Sequence, residues 1–318
     1  MDDVLAWLLE GDVAVAYQAR RDLLGDDDAD LRRRIAREGD GAVLLAARNP
    51  DGRWGRDFYQ PKLTCTHYTL LELKNLGLPP DEPAAVESTA LVLREHKARD
   101  GGLNPQRVDA VGEACVTGMG LAYAAYFGAT EDDLASLVDF LLGQRLDDGG
   151  FNCRLNRTGA RHSSVHTTIS VVEGITAYDE AGRGYRRGEL LAARASAVEL
   201  LLRHRLYRSE RTSEPIQASF TRLHHPARWH YDVLRALDAF VAAGVPHDPR
   251  MDDALQVIRD RRRPDGRWSA ATYPGETHLP RLPGRTASPW ATLIALRVQG
   301  AYGRTRAATR GDPSESRS

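Results

Sequence analysis

The sequence predicts an all-α fold, an (α/α)6 toroid in which six inner helices are ringed by six outer ones. Two observations predict it. Four stretches share one pattern, "DGRWG" at 51, "DGGLN" at 100, "DGGFN" at 148 and "DGRWS" at 265. The first three lie about 50 residues apart, and the last interval is about two such periods, with the degenerate copy "HRLYRSE" at 204 standing between. A period of this size means stacked helical units, none of which can bury its apolar face alone. The second observation is an alternation of helix character. The helix before a turn carries one apolar stripe, and the helix after it is apolar on most sides.

The outer set is expected at 2–10, 28–48, 84–98, 131–145, 187–205 and 250–263. In its fourth member Leu134, Leu137, Val138 and Leu141 fall on one helical face, and Thr130 with Asp133 has the spacing of a capping box. Leu191, Ala195, Val198 and Leu202 repeat the stripe in the fifth. The inner set is expected at 12–25, 65–77, 113–128, 164–178, 228–244 and 288–302, where runs such as "SVVEGITAY" and "ATLIALRVQG" need neighbours on every side. Six pairs close a ring. Residues 1–302 therefore read as one toroid domain, and the polar tail 303–318 as disordered.

Composition sets the limits on function. The 318 residues are 42% apolar and 27% charged, enough for a large core, and the net charge of −1 gives no general footing for nucleic acid or an acidic membrane. The start "MDDVLAWLLEGD" is acidic and too short in apolar length for a signal peptide or membrane span, so a cytoplasmic protein is expected. Three widely spaced cysteines, Cys65, Cys115 and Cys153, argue against a disulfide framework and for free thiols or metal ligands.

If the inner helices run parallel and in register, their first residues meet at one mouth of the ring. The repeat aligns His67, Cys115, His166, His230 and Trp290, with Cys65, Glu113, Ser164, Arg228 and Ser288 two places earlier. A helix start accommodates single polar residues, and a lone histidine usually hydrogen-bonds a neighbour. A convergent set of His, Cys and Glu also suits a borderline-soft cation such as Zn2+. Glu113, Cys115 and His166 are the expected ligands, with Glu113 on the loop entering its helix, and three protein ligands leave a position open for catalysis. His67 and His230 would then be further ligands or acid–base groups. Asp232 and Glu173 fall in inner helices, where an acid is either paired or functional. Tyr17, Tyr68, Trp229, Tyr231 and Trp290, with Cys65, would line the cavity and hold an apolar ligand, core packing being the alternative for each. Arg154, Arg157 and Arg161 either clamp an anion such as diphosphate or form an exposed loop.

On these residues the chain resembles the superfamily of terpenoid cyclases and protein prenyltransferase β subunits. "RNPDGRWG", "GQRLDDGGFN" and "RRRPDGRWSA" are similar to the glutamine-tryptophan turn repeat of squalene-hopene cyclases, with Arg48 and Arg262 in the glutamine position and Gln144 kept. Glu113-Ala114-Cys115 is similar to the zinc-binding Asp-x-Cys of protein prenyltransferases, and His166 or His162 stands on the following helix. Glutamate replaces aspartate there, and Ser164 occupies the aligned position on the next helix. No inner helix carries the Asp-x-Asp-Asp acid of class II cyclases. The resemblance implies an enzyme acting on an isoprenoid-like or other hydrophobic substrate in a central cavity, with zinc assistance. The alternatives are a metal-dependent enzyme of unrelated chemistry and a non-catalytic toroid whose mouth binds a peptide or protein partner.

Overall fold

A computed structural model describes residues 2–105, 111–283 and 286–303. In chain order the helices are α1 (Asp2–Leu9), α2 (Val13–Ala19), α3 (Ala29–Arg34), α4 (Gly39–Ala46), α5 (Thr66–Leu76), α6 (Pro83–Glu95), α7 (Ala114–Tyr126), α8 (Glu131–Gly143), α9 (Leu155–Thr158), α10 (Val165–Glu180), α11 (Arg187–Arg203), α12 (Val233–Ala242), α13 (Asp252–Asp260) and α14 (Pro289–Tyr302). Among the described residues there is no strand, only isolated bridges at the turns. Helices α2, α5, α7, α10, α12 and α14 form the inner ring, and α14 packs on α2 to close it. The others cover the outside, apart from the single-turn α9. This is the all-α toroid that the repeat predicts.

The Asp-Gly turns explain the stacking. The second residue of each turn, Gly52, Gly101, Gly149 or Gly266, has φ between 80° and 100°, a conformation that glycine adopts without a Cβ clash. The buried indoles of Trp54 and Trp268 follow, and each Nε1–H donates to the last turn of the preceding outer helix, to Leu44 O at 2.6 Å and Ile258 O at 2.8 Å. A threonine on the next inner helix then accepts the turn's N–H: Trp54 to Thr66, Leu103 to Thr117, Phe151 to Thr168 and Trp268 to Thr292, at 2.9–3.1 Å. Each turn thus fixes an outer helix to the inner helix that follows it.

Inner helices are apolar all round because they touch neighbours all round. The closest approach is between α7 and α10, where a Cβ on Gly174 would stand 2.3 Å from Gly118 O, and one on Gly118 would stand 2.7 Å from Ser170 O. One buried apolar cluster runs from Leu8 to Tyr302.

Four expected boundaries move. The outer segment 28–48 divides into α3 and α4, because Glu38 is extended and Gly39 has φ of 61°. The inner segment 12–25 is α-helical only to Ala19 and continues as a π-helical turn, Arg20–Leu24, stopped by Gly25 in the left-handed region. The expected helix 228–244 begins at Val233, with Asp232 as its N-cap. The expected outer helix 250–263 is α-helical over Asp252–Asp260 and enters through a 3-10 turn, Pro249–Met251. The tail expected at 303–318 lies, past Gly303, outside the described residues. Among the described residues no helix is long and apolar enough to cross a membrane.

Candidate metal centre and the mouth of the ring

The turn of the third helical pair places Glu113. Asp100 accepts from the N–H groups of Gly102 and Gly112, and Glu113 N–H donates to Leu103 O at 3.0 Å, so the carboxylate stands at the N-cap of α7 with Cys115 two residues on. The next turn repeats the device: Asp148 accepts from Ser163 N–H at 2.7 Å, and Ser164 N–H donates to Phe151 O. Cys153 follows that turn, its N–H held by Thr167 Oγ1 of α10 at 3.2 Å. The two repeats thereby bring one oxygen and two sulfurs together. The donor atoms of Glu113, Cys115 and Cys153 all lie within 4.8 Å of one another, in half-buried side chains.

These groups are electrostatically strained against each other. The Cys115 thiol hydrogen-bonds to Cys153, which raises Cys115, already disfavoured as a thiolate by burial, and lowers Cys153 below the ordinary thiol range; Thr167, Arg157 and Arg154 also favour the Cys153 thiolate. Burial raises the Glu113 carboxyl, with Arg157, 3.3 Å away, and Lys62 opposing the shift.

His166, expected as the third ligand, is not in this group. Its Nδ1 accepts the Tyr231 backbone N–H at 2.9 Å. A neutral imidazole has one free lone pair, so a ring whose Nδ1 accepts carries its proton on Nε2 and presents a donor there. Cys153, legible only as one of three possible metal-ligating cysteines, takes the place expected for His166. His162 is exposed on the loop, as is Arg161.

The other expected residues divide between several environments. His230 and Trp229 stack on each other, with ring centroids 3.8 Å apart, and His230 also stacks on Tyr273. Together with Arg56, Lys62 and Pro274 they line an open cleft of about 620 Å3 at the mouth. Lys62 joins the cleft to the candidate centre, because its ammonium lies 4.8 Å from the Trp229 ring centroid while its charge acts on Glu113. His67 instead is fully buried among Phe58, Tyr59, Tyr68 and Tyr123, with Nδ1 3.3 Å from Tyr123 Oη, and burial holds it down to about 3. The reason is a register slip. The turn threonine is the fourth residue of α7, α10 and α14 but the first of α5, so His67 follows its threonine where Cys115, His166 and Trp290 precede theirs.

Cys65 is the buried N-cap of α5, its thiol donating to Lys62 O at 3.3 Å and pushed up to about 12 by burial. Tyr68 pairs with Tyr59, Oη to Oη, at 2.7 Å. Tyr231 is buried, its hydroxyl on Leu206 O. Tyr17 stands away from the mouth, against Gly77 at the end of α5 and bonded to Asp27 at 2.9 Å. Asp232 caps α12 through Arg235 N–H and accepts from both the N–H and Nδ1 of His224 at 2.9 and 3.2 Å, so both of its oxygens are engaged in anchoring. Lys62 and Tyr273 carry no repeat signature, and their part in the mouth was not legible in the sequence.

Beneath the mouth the axial cavity, about 450 Å3, is charged where an aromatic lining is expected. Arg235 grips Glu173 through two hydrogen bonds of 2.6–2.8 Å, and Arg297 grips Asp238 through two of 2.8–3.1 Å. Glu173 is thus the paired acid of the two alternatives. Trp290 contributes an aromatic wall, stacked on His225.

No protein-family model matches the chain, and no curated protein is similar to it in sequence. Its fold is similar to that of a glycosyl hydrolase family 88 protein from Bacteroides vulgatus, with a TM-score of 0.53 at 11% identity over 90% of each chain. A polysaccharide lyase gives 0.42 at 13% identity over 78% of this chain and 73% of that one, and the type II terpene cyclase MstE from Scytonema gives 0.36 at 14% over 86% and 97%. The first of these likenesses shows the fold: the chain is an α/α toroid.

Proposed function

We propose that the chain is a metal-dependent enzyme whose zinc is held by Glu113, Cys115 and Cys153, and whose substrate occupies the aromatic cleft beside them. The observation that carries this reading is the convergence of two sulfurs and a carboxylate from successive repeats within 4.8 Å. Two thiolates and one carboxylate fit a borderline-soft divalent ion, and three protein donors leave a coordination position free, as catalytic zinc requires. A zinc ion there supplies Lewis acidity, which activates a thiol or water or polarises a substrate oxygen. The chain's own residues do the rest. Arg157 and Lys62 place positive charge beside the centre and favour an anionic group on the substrate. Trp229, Tyr273 and Pro61 offer apolar surface to an isoprenoid-like or other hydrophobic portion. Such a chain belongs in the cleft, because desolvating the ion pairs of the axial cavity against hydrocarbon is unfavourable.

Elemental analysis of protein purified without chelator tests the assignment. About one zinc per chain is expected, lost in Cys153→Ala and Cys115→Ala and kept in His166→Ala. Wild type without zinc, or a His166→Ala protein that loses it while Cys153→Ala keeps it, overturns the ligand set. Mass spectrometry of the organic extract tests the substrate, with a co-purified isoprenoid expected for wild type and absent after Trp229→Ala.

A further inference from the structure

Among the described residues Arg228 is a buried cation short of partners. Its side chain is 4% exposed, its Nε has no hydrogen-bond partner, and its one ion pair, to Glu72, is stretched to 3.6 Å. That distance is too long for a hydrogen bond, whereas Arg235 and Arg297 in the same cavity each hold a carboxylate at hydrogen-bonding distance through two nitrogens. The backbone at Arg228 has φ of 51°, a left-handed conformation that is unfavourable for a residue with a side chain of this kind. A buried guanidinium held in this conformation and short of acceptors is suited to binding an anion.

The surroundings say what kind of anion. Arg228 lies in the wall of the axial cavity, which continues past Trp290 to the C-terminal ends of α5, α7, α10 and α12. Asn75, Gln18, Lys74 and Thr176 line its course and offer amide, ammonium and hydroxyl groups to a ligand's hydroxyls. Trp290 gives a ring to pack against. A volume of about 450 Å3 accommodates one or two sugar-sized rings. We propose that this axial cavity is a second ligand site, independent of the metal centre, that binds a small polyhydroxylated acid, a sugar carboxylate or sugar phosphate, with its anionic group on Arg228.

Calorimetric titration of the full chain with glucuronate, glucose 6-phosphate and glucose tests this. At least one of the two acids is expected to bind saturably and glucose at least tenfold more weakly; which acid binds distinguishes carboxylate from phosphate. Arg228→Met should reduce acid binding at least tenfold. Because that variant leaves Glu72 without its partner, Ile294→Trp gives an independent arm: Ile294, one turn after Trp290 on α14, lines the cavity half-buried and takes part in none of these ion pairs, so a bulky ring there fills the space beside Trp290 and should abolish binding. Cys153→Ser should bind like wild type. The proposal is wrong if neither acid binds wild type, if glucose binds as tightly as the acids, or if the Ile294→Trp protein retains wild-type affinity. It is equally wrong if binding follows Cys153 and not Arg228.

Discussion

The Thr117 hydroxyl shows how much one atom sets at the residue scale. It accepts from the N–H of Leu103, both residues being fully buried, in the loop that delivers Glu113 to the candidate centre. Thr117→Val keeps the shape and removes the acceptor, leaving a buried N–H unpaired. Urea unfolding is expected to show a loss of about 1–3 kcal/mol, with Thr117→Ser close to wild type. Equal stability for the valine and serine proteins would deny the hydroxyl that part. The candidate site was half legible at this scale. Glu113 and Cys115 stand out because the repeat puts both at a helix start, but the choice between Cys153 and His166 depends on which lone pair is already used. That is decided by Tyr231 N–H, 65 residues along the chain from His166, and no local pattern reports it.

At the scale of elements, the contact between α7 and α10 is set by two glycines. Gly174→Ala would drive a methyl group into the Gly118 carbonyl, a backbone atom that cannot step aside. The helices must separate, and a loss of about 2–3 kcal/mol is expected in thermal or urea unfolding, against little change for Gly188→Ala, whose Cβ position is open. Helix existence was legible from apolar periodicity and from caps such as Thr130 with Asp133, which do form the reciprocal box. Helix registration was not. The late start of α5 and the start of α12 at Val233 follow from which threonine meets the turn and which acid caps the helix, and both are tertiary choices. For that reason His67 lies buried away from the cleft, and Asp232 is a cap, not an interior acid.

For the molecule as a whole, closure of the ring runs through Arg297. From α14 it reaches Asp238 on α12 and Asp22 in the π-helical turn after α2. Burial raises the Asp238 carboxyl and Arg297 opposes the shift. Arg297→Met therefore leaves Asp238 facing the cavity without its partner, while Asp22 keeps Arg21, and a loss of about 2–3 kcal/mol is expected at pH 8, below the range for fully buried pairs because these side chains keep some exposure. The sign with pH follows. Without the arginine the folded-state carboxyl titrates higher still than in the unfolded chain, so the folded state takes up the proton first as pH falls, and the deficit against wild type should shrink between pH 8 and pH 5. A deficit that stays constant or grows on acidification would show that repulsion between these acids is not the cause.

The toroid itself was the most legible feature, because a repeated turn is a local signal and ring closure follows from counting. The character of its interior was not, since an inner helix that is apolar on most sides still sends single residues such as Glu72, Glu173 and Asp238 to the axis. Arg228 faces that axial space, and the next two residues, Trp229 and His230, face the cleft above it. A single peptide segment is therefore floor to one chamber and ceiling to the other. Any coupling between an occupant below and one above would have to pass through that segment, and thermodynamic reciprocity would then make the factor by which each alters the other's affinity the same.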